Sequence, residues 1–157
     1  MTRSRGRGSA FACEITPLLA ASGVRGDWIS WQRQQVTSGS STDPAEWARR
    51  IFSDPPRWVG AALALRDRLV GLVGIRPSSR ETFAVLARSG DEVIVGTDDR
   101  HIDFRASVRC SDGFVDVTTI VQVHNRLGWF YLLPVRLVHA SMVRSMLARA
   151  ARLERAA

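Results

Sequence analysis

The chain has 157 residues, 45% hydrophobic and 24% charged, which excludes a wholly disordered protein and suits one domain around one core. Its formal charge of +7 sits mostly at the ends: Arg3, Arg5 and Arg7 carry three charges and the last nine residues a net two, so the body nets only +2, too little for a specific nucleic-acid face. All 22 basic residues are arginine, which excludes lysine Schiff-base chemistry and lysine-dependent phosphate loops.

Residues 1–26 open Arg/Gly/Ser-rich and are punctuated by Gly23 and Gly26, so a basic, flexible arm is expected before a single domain over 27–157. Trp28 to Val36 mixes Trp, Ile and Val with polar residues and predicts a first strand, closed by Ser38-Gly39-Ser40-Ser41. Asp43-Pro44-Ala45-Glu46 then has the form of a helix start, with a capping acid, proline at the first helical position and glutamate three after the cap. That helix should run to about Phe52. Ser53-Asp54-Pro55-Pro56 stops it and starts a second helix, whose apolar stripe is read as Trp58, Ala62, Leu65, Leu69, Leu72 and Val73.

From Glu81 to His124 the hydrophobic period becomes two. Phe83, Val85 and Ala87, then Val93 and Val95, then Ile102, Phe104, Ala106 and Val108, then Val115, Val117, Thr119, Val121 and Val123 form the apolar rows of an antiparallel meander. Its turns are Ser89-Gly90-Asp91, Thr97-Asp98-Asp99-Arg100 and Ser111-Asp112-Gly113. Asn125-Arg126-Leu127-Gly128 reads as one more turn, and a final helix of about five turns is expected from about Pro134. Leu132, Val135, His139, Met142, Val143, Met146, Ala150 and Leu153 share its apolar face, with Arg144, Arg152 and Arg155 opposite.

Other chemistries find little footing. Cys13 and Cys110 lie 97 positions apart, so no disulfide framework and no metal-ligand spacing is present, and the three histidines are scattered. No Gly-x-Ser-x-Gly elbow, phosphate loop or Gly-x-Gly-x-x-Gly fingerprint occurs. No metal and no cofactor is therefore expected. The arginines and Ala10-Phe11-Ala12-Cys13 imitate an export signal, but too few apolar residues precede the cysteine, which leaves a cytoplasmic protein without a membrane span as the expectation.

The order of one strand, two shorter helices, a meander and a long last helix resembles the helix-grip superfamily, the START/SRPBCC class that includes START lipid-transfer domains, plant pathogenesis-related allergens and polyketide cyclases. More narrowly, His101-Ile102-Asp103-Phe104-Arg105, Val117-Thr118-Thr119-Ile120-Val121, His124-Asn125-Arg126-Leu127-Gly128, Tyr131 and His139, with Trp58-Val59 and Leu65-Arg66-Asp67-Arg68-Leu69, are similar to an uncharacterised bacterial domain-of-unknown-function family of actinobacterial type within it. Some of that family's members are fused to NAD-binding epimerase-like domains. The resemblance implies an α+β fold in which a curved antiparallel sheet wraps around the C-terminal helix and a small apolar molecule is held between them. Trp129 departs from the basic residue that the family carries after the glycine.

His139 is the most informative residue, because an imidazole in the middle of an apolar stripe needs partners for both nitrogens. It is either a core histidine bonded to the sheet or a polar anchor in a cavity. The ligand-binding set read from the pattern is His139, Val135, Met142, Met146, Phe104, Trp58, Arg66 and Asp103, with Asp103 or Asp116 as partners open to Arg66. Should the domain be an enzyme of cyclase, dehydratase or isomerase type, His139, His124 and Tyr131 are the acid–base candidates. A polar turn network could equally occupy His124, Asn125 and Tyr131, and His101, Asp103 and Arg105 fit an exposed ladder of charges. A third reading makes the chain a protein interaction module. The sequence leaves the oligomeric state open.

Overall fold

A computed structural model describes residues 15–71 and 83–156, the side chains of 66–71 excepted. The elements in chain order are α1 (Pro17–Ala20), β1 (Trp28–Gln35), α2 (Pro44–Ser53), α3 (Arg57–Gly71), β2 (Val85–Arg88), β3 (Glu92–Asp98), β4 (Ile102–Ser111), β5 (Phe114–Val123) and α4 (Arg126–Ala156). The five strands form one antiparallel sheet in the order β1-β5-β4-β3-β2, so the first strand closes the meander against its last member. A curved sheet carrying a long C-terminal helix is the helix-grip-like arrangement expected.

The alternation that predicts the strands also sorts the two faces. Val93, Val95, Ala106, Val108, Val115 and Val117 project to one side and pack beneath Trp47 and Ile51 of α2, Val59 of α3 and Val143, Met146, Leu147 and Ala150 of α4. Toward the other end of the same face, Val121 and Val123 pack with Leu132, Trp28 and Ile102. Between β4 and β5, Asp112 and Gly113 have φ of 46° and 80°; two central residues with positive φ fit the right-handed strand twist, which is why Asp-Gly serves at this turn.

At α2 the sequence signals hold with one change of partner. Asp43 caps Ala45 N–H at 2.9 Å behind Pro44, but Glu46 does not reach back to the cap. It takes Arg50 one turn on and the hydroxyl of Ser41, while Ser41 Oγ receives the Asp43 N–H instead. Trp47 is fully buried because its indole N–H finds the Ser41 carbonyl at 2.8 Å.

Four expectations need correction. The apolar side of α3 is set by Val59 and Leu63, four apart, whereas Trp58 and Leu65 face outward at 46% and 59% exposure; the residues read as Leu72 and Val73 lie outside the described part. The last helix begins at Arg126, eight residues before Pro134, and spans 31 residues. Pro134 is tolerated inside it because Pro134 and Phe130 are both on the solvent side, where the Phe130 carbonyl that loses its helical partner can meet water.

Thr16–Ala20, assigned to the arm, instead form a capped turn that folds onto the second face of the sheet. Leu19 is fully buried there against Ile94 and Ile120, with Leu18 and Val24 alongside. Thr16 caps Leu19 N–H and also donates to Glu92, a buried carboxylate that receives the Ser107 hydroxyl as well. Asp27 accepts from Val123 N–H at 2.7 Å, fixing the segment's exit into β1. Finally, Arg105 is buried rather than exposed, paired with Asp98 and donating to the carbonyls of Thr97 and Phe104.

Candidate functional site

His139 lies on the sheet-facing side of α4, its ring edge-on to Trp28 of β1 with centroids 4.9 Å apart. Trp28 belongs to the apolar row because β1 pairs with β5 in a register that sets Trp28 opposite Val121, Ser30 opposite Thr119 and Gln32 opposite Val117. Residues two apart share a face, so Trp28, Ser30 and Gln32 all lie beneath α4. His139 Nδ1 is buried and has no hydrogen-bond partner among the described residues. Burial holds the imidazole near a pKa of about 4, so at neutral pH it is uncharged and offers one donor and one acceptor. An unpaired buried polar atom costs roughly 1–3 kcal/mol, and such an atom calls for a water or a ligand.

Two further polar side chains share this wall. Thr119, nearly fully buried, and Ser30, its neighbour in register, make no side-chain hydrogen bond among the described residues. Gln32 is engaged, accepting from Arg144 at 3.4 Å. Val135 is half-buried one turn before His139, and Met142 packs at the margin of the main core that Met146 enters fully. Phe104 bridges the two apolar clusters and meets Phe83 edge-on at 6.1 Å; Phe83 stacks on Phe52 at 4.5 Å. Ser30 and Thr119 were not singled out from the sequence: Thr119 is visible in the alternation of β5, but Ser30 joins it only through the β1–β5 register.

The other sequence-derived candidates go elsewhere. Trp58 faces outward and belongs to none of the apolar clusters, and the Arg66 side chain lies outside the described part. Asp103 pairs with His124 at 2.9 Å, and Asp116 with Arg33 through two bonds of 2.6 and 2.7 Å, so both acids proposed for Arg66 have other partners. Asp103 and His124 alternate away from the apolar rows, and Tyr131 is eight residues before His139, about 12 Å along the helix. No hydrogen bond among the described residues joins His124, Tyr131 and His139, and the fold does not assemble them into an acid–base constellation.

Asp103, His124 and their neighbours form a joint where the last helix meets the sheet. Asn125 accepts the Gly128 N–H at 3.1 Å, capping α4, and its amide group reaches the Arg100 carbonyl and the His101 ring. The His124 N–H donates to the His101 carbonyl at 2.9 Å. A Cβ on Gly128 would stand 2.3 Å from that carbonyl, and one on Gly96 would stand 2.1 Å from the Phe104 carbonyl. Glycine is required at both positions by backbone approach. The runs from His101 to Arg105 and from His124 to Gly128 therefore position α4 over the sheet.

At the opposite end of the sheet, a cleft of about 400 Å³ is lined largely by Thr37–Thr42 and Cys110–Val115. The Cys110 thiol there is pushed up to about 12, chiefly by burial and then by Asp43, Asp91 and Asp116, the opposite of the shift that activates a thiolate. Among the described residues, no cluster of three or more His, Cys, Asp or Glu is arranged to hold a metal, and no helix is long and apolar enough to cross a membrane.

Residues 26–146 match the family described as "Protein of unknown function (DUF2867)". No curated protein and no solved structure matches the chain. The matched region runs from just before β1 to the middle of α4, and so contains the joint, Trp28 and His139.

Proposed function

The chain belongs to this DUF2867 family, and on that premise we propose that it binds a small, uncharged, mainly apolar molecule between α4 and the facing side of the sheet, as a member of the helix-grip superfamily would. The observation that carries the reading is the buried, unpartnered Nδ1 of His139 beside Trp28. The hydroxyls of Thr119 and Ser30, without side-chain partners among the described residues, support it from the sheet side. A neutral imidazole flanked by hydroxyls suits a ligand with one hydroxyl or carbonyl, and Trp28, Val135, Met142 and Phe104 supply apolar contact for the rest. The binding set is His139, Ser30 and Thr119 with these apolar residues. Binding is favoured over catalysis because His139 has no carboxylate partner and stands apart from His124 and Tyr131.

The test is a titration with N-phenyl-1-naphthylamine, an uncharged dye whose fluorescence rises in apolar sites. The folded protein should bind the dye saturably at one-to-one stoichiometry. Ser30→Phe, which puts a bulky ring into the proposed site, should weaken binding by about tenfold or more. Unsaturable binding, or equal affinity in the variant, contradicts the assignment.

A further inference from the structure

The outward side of α4, turned away from His139, carries a line of apolar side chains. Phe130 is 78% exposed, Leu133 56% and Leu137 84%, with Trp129 and Val138 at 42% and 45% flanking them. At three- and four-residue spacing Phe130, Leu133 and Leu137 fall on one stripe, and the group from Trp129 to Val138 spans about 15 Å of helix. Single exposed apolar residues are common on proteins, whereas a contiguous ridge marks a contact surface.

The charges around the ridge select its partner. Arg126 lies one turn before Phe130 and Arg144 continues the line beyond Leu137, with Arg136 to one side. Arg126 and Arg136 are exposed and form no ion pair among the described residues. The only acid in α4 is Glu154, already held by Arg50 and the Ser41 N–H. A helix exposing Trp, Phe and Leu between arginines has the make-up of an interfacial amphipathic segment, its apolar side chains sinking to the headgroup–acyl boundary and its arginines meeting phosphate. A second copy fits less well, because pairing two such ridges would bring the unpaired arginines of two chains toward one another with no free acid in either α4 to meet them.

We propose that the outward ridge of α4 docks reversibly on an anionic phospholipid surface, with Trp129, Phe130, Leu133 and Leu137 entering the interface and Arg126 and Arg136 contacting lipid phosphates. The ridge and the His139 wall lie on opposite sides of the helix, so this holds whether or not the inner site carries a ligand.

Co-sedimentation of the full chain with vesicles tests it, using phosphatidylcholine alone and phosphatidylcholine mixed with phosphatidylglycerol. The protein should pellet with the anionic vesicles, stay in solution with the neutral ones, and be released by raised salt. F130D/L137D, which changes two solvent-facing side chains, should bind at least about tenfold more weakly while keeping the wild-type melting curve. R126Q/R136Q, which leaves the apolar ridge intact, should bind several-fold more weakly, with a shallower salt dependence. Failure of the wild type to pellet with anionic vesicles overturns the proposal. So does equal pelleting of F130D/L137D, which would assign binding to the N-terminal arginines. A wild-type dimer that F130D/L137D dissociates, without vesicle binding, would make the ridge a self-association face and overturn it as well.

Discussion

Burial against Trp28 leaves the His139 imidazole with a pKa of about 4, against 6.5 for a free one. Above pH 6.5 it is neutral whether the chain is folded or unfolded. As pH falls from 6.5 toward 4 the unfolded chain takes up a proton that the folded chain refuses, so stability declines through that window and levels off below it. Between pH 7 and 5 this linkage amounts to roughly 2 kcal/mol. Urea unfolding at the two pH values should show the wild type losing about that much more stability than His139→Leu, in which the titration is gone; equal losses would place the imidazole in contact with water. Glycines give a second contrast. Gly128→Ala drives a Cβ toward the His101 carbonyl and should destabilise by about 1–3 kcal/mol. Gly60→Ala, in an α3 position with nothing within 4 Å, should stabilise by about 0.5–1 kcal/mol. Thermal melts of the two variants, shifted in opposite directions, check both.

At the scale of elements, the joint between β4, β5 and α4 is where sequence and structure disagree most instructively. Asn125 and Gly128 read as turn formers, and Pro134 reads as the first residue of a helix. In the fold Asn125 is the cap, Gly128 is the helical residue that must pass close to a strand carbonyl, and Pro134 is interior. Each residue type serves two roles, and only the strand lying against the helix decides between them. Asn125→Ala should therefore cost about 1 kcal/mol for the cap, measured by urea denaturation, and hydrogen exchange should speed up over the first turn of α4, while the amides near Met146 stay protected. The strands were more legible, because a period of two maintained over Ile102–Val108 and Val115–Val123 has no helical alternative. On α3 the periodicity was legible but its phase was not: Trp58 and Val59 are both apolar, and the core takes in the smaller one.

For the whole molecule, the sheet is covered on both faces, by α2 and α4 with Val59 and Leu63 of α3 on one and by residues 16–24 on part of the other. A four-residue turn is too short to show periodicity, so the second cover was hidden in what reads as an arm, although Ile94 and Ile120 on the otherwise polar rows were the clue that something apolar lies there. His139 was legible as an anomaly, a polar residue on an apolar stripe. Its surroundings were not, because Trp28, Ser30 and Thr119 come together only when the first strand pairs with the last. That closure puts an unpaired imidazole and two hydroxyls on one wall, and the proposed binding role stands on their meeting a ligand. Native mass spectrometry of the purified chain, before and after incubation with 1-naphthol, tests this most directly. A binding site on that wall predicts a species heavier than the chain by one small molecule, lost on collisional activation and diminished in Ser30→Phe. The bare chain mass alone, in both samples, would contradict it.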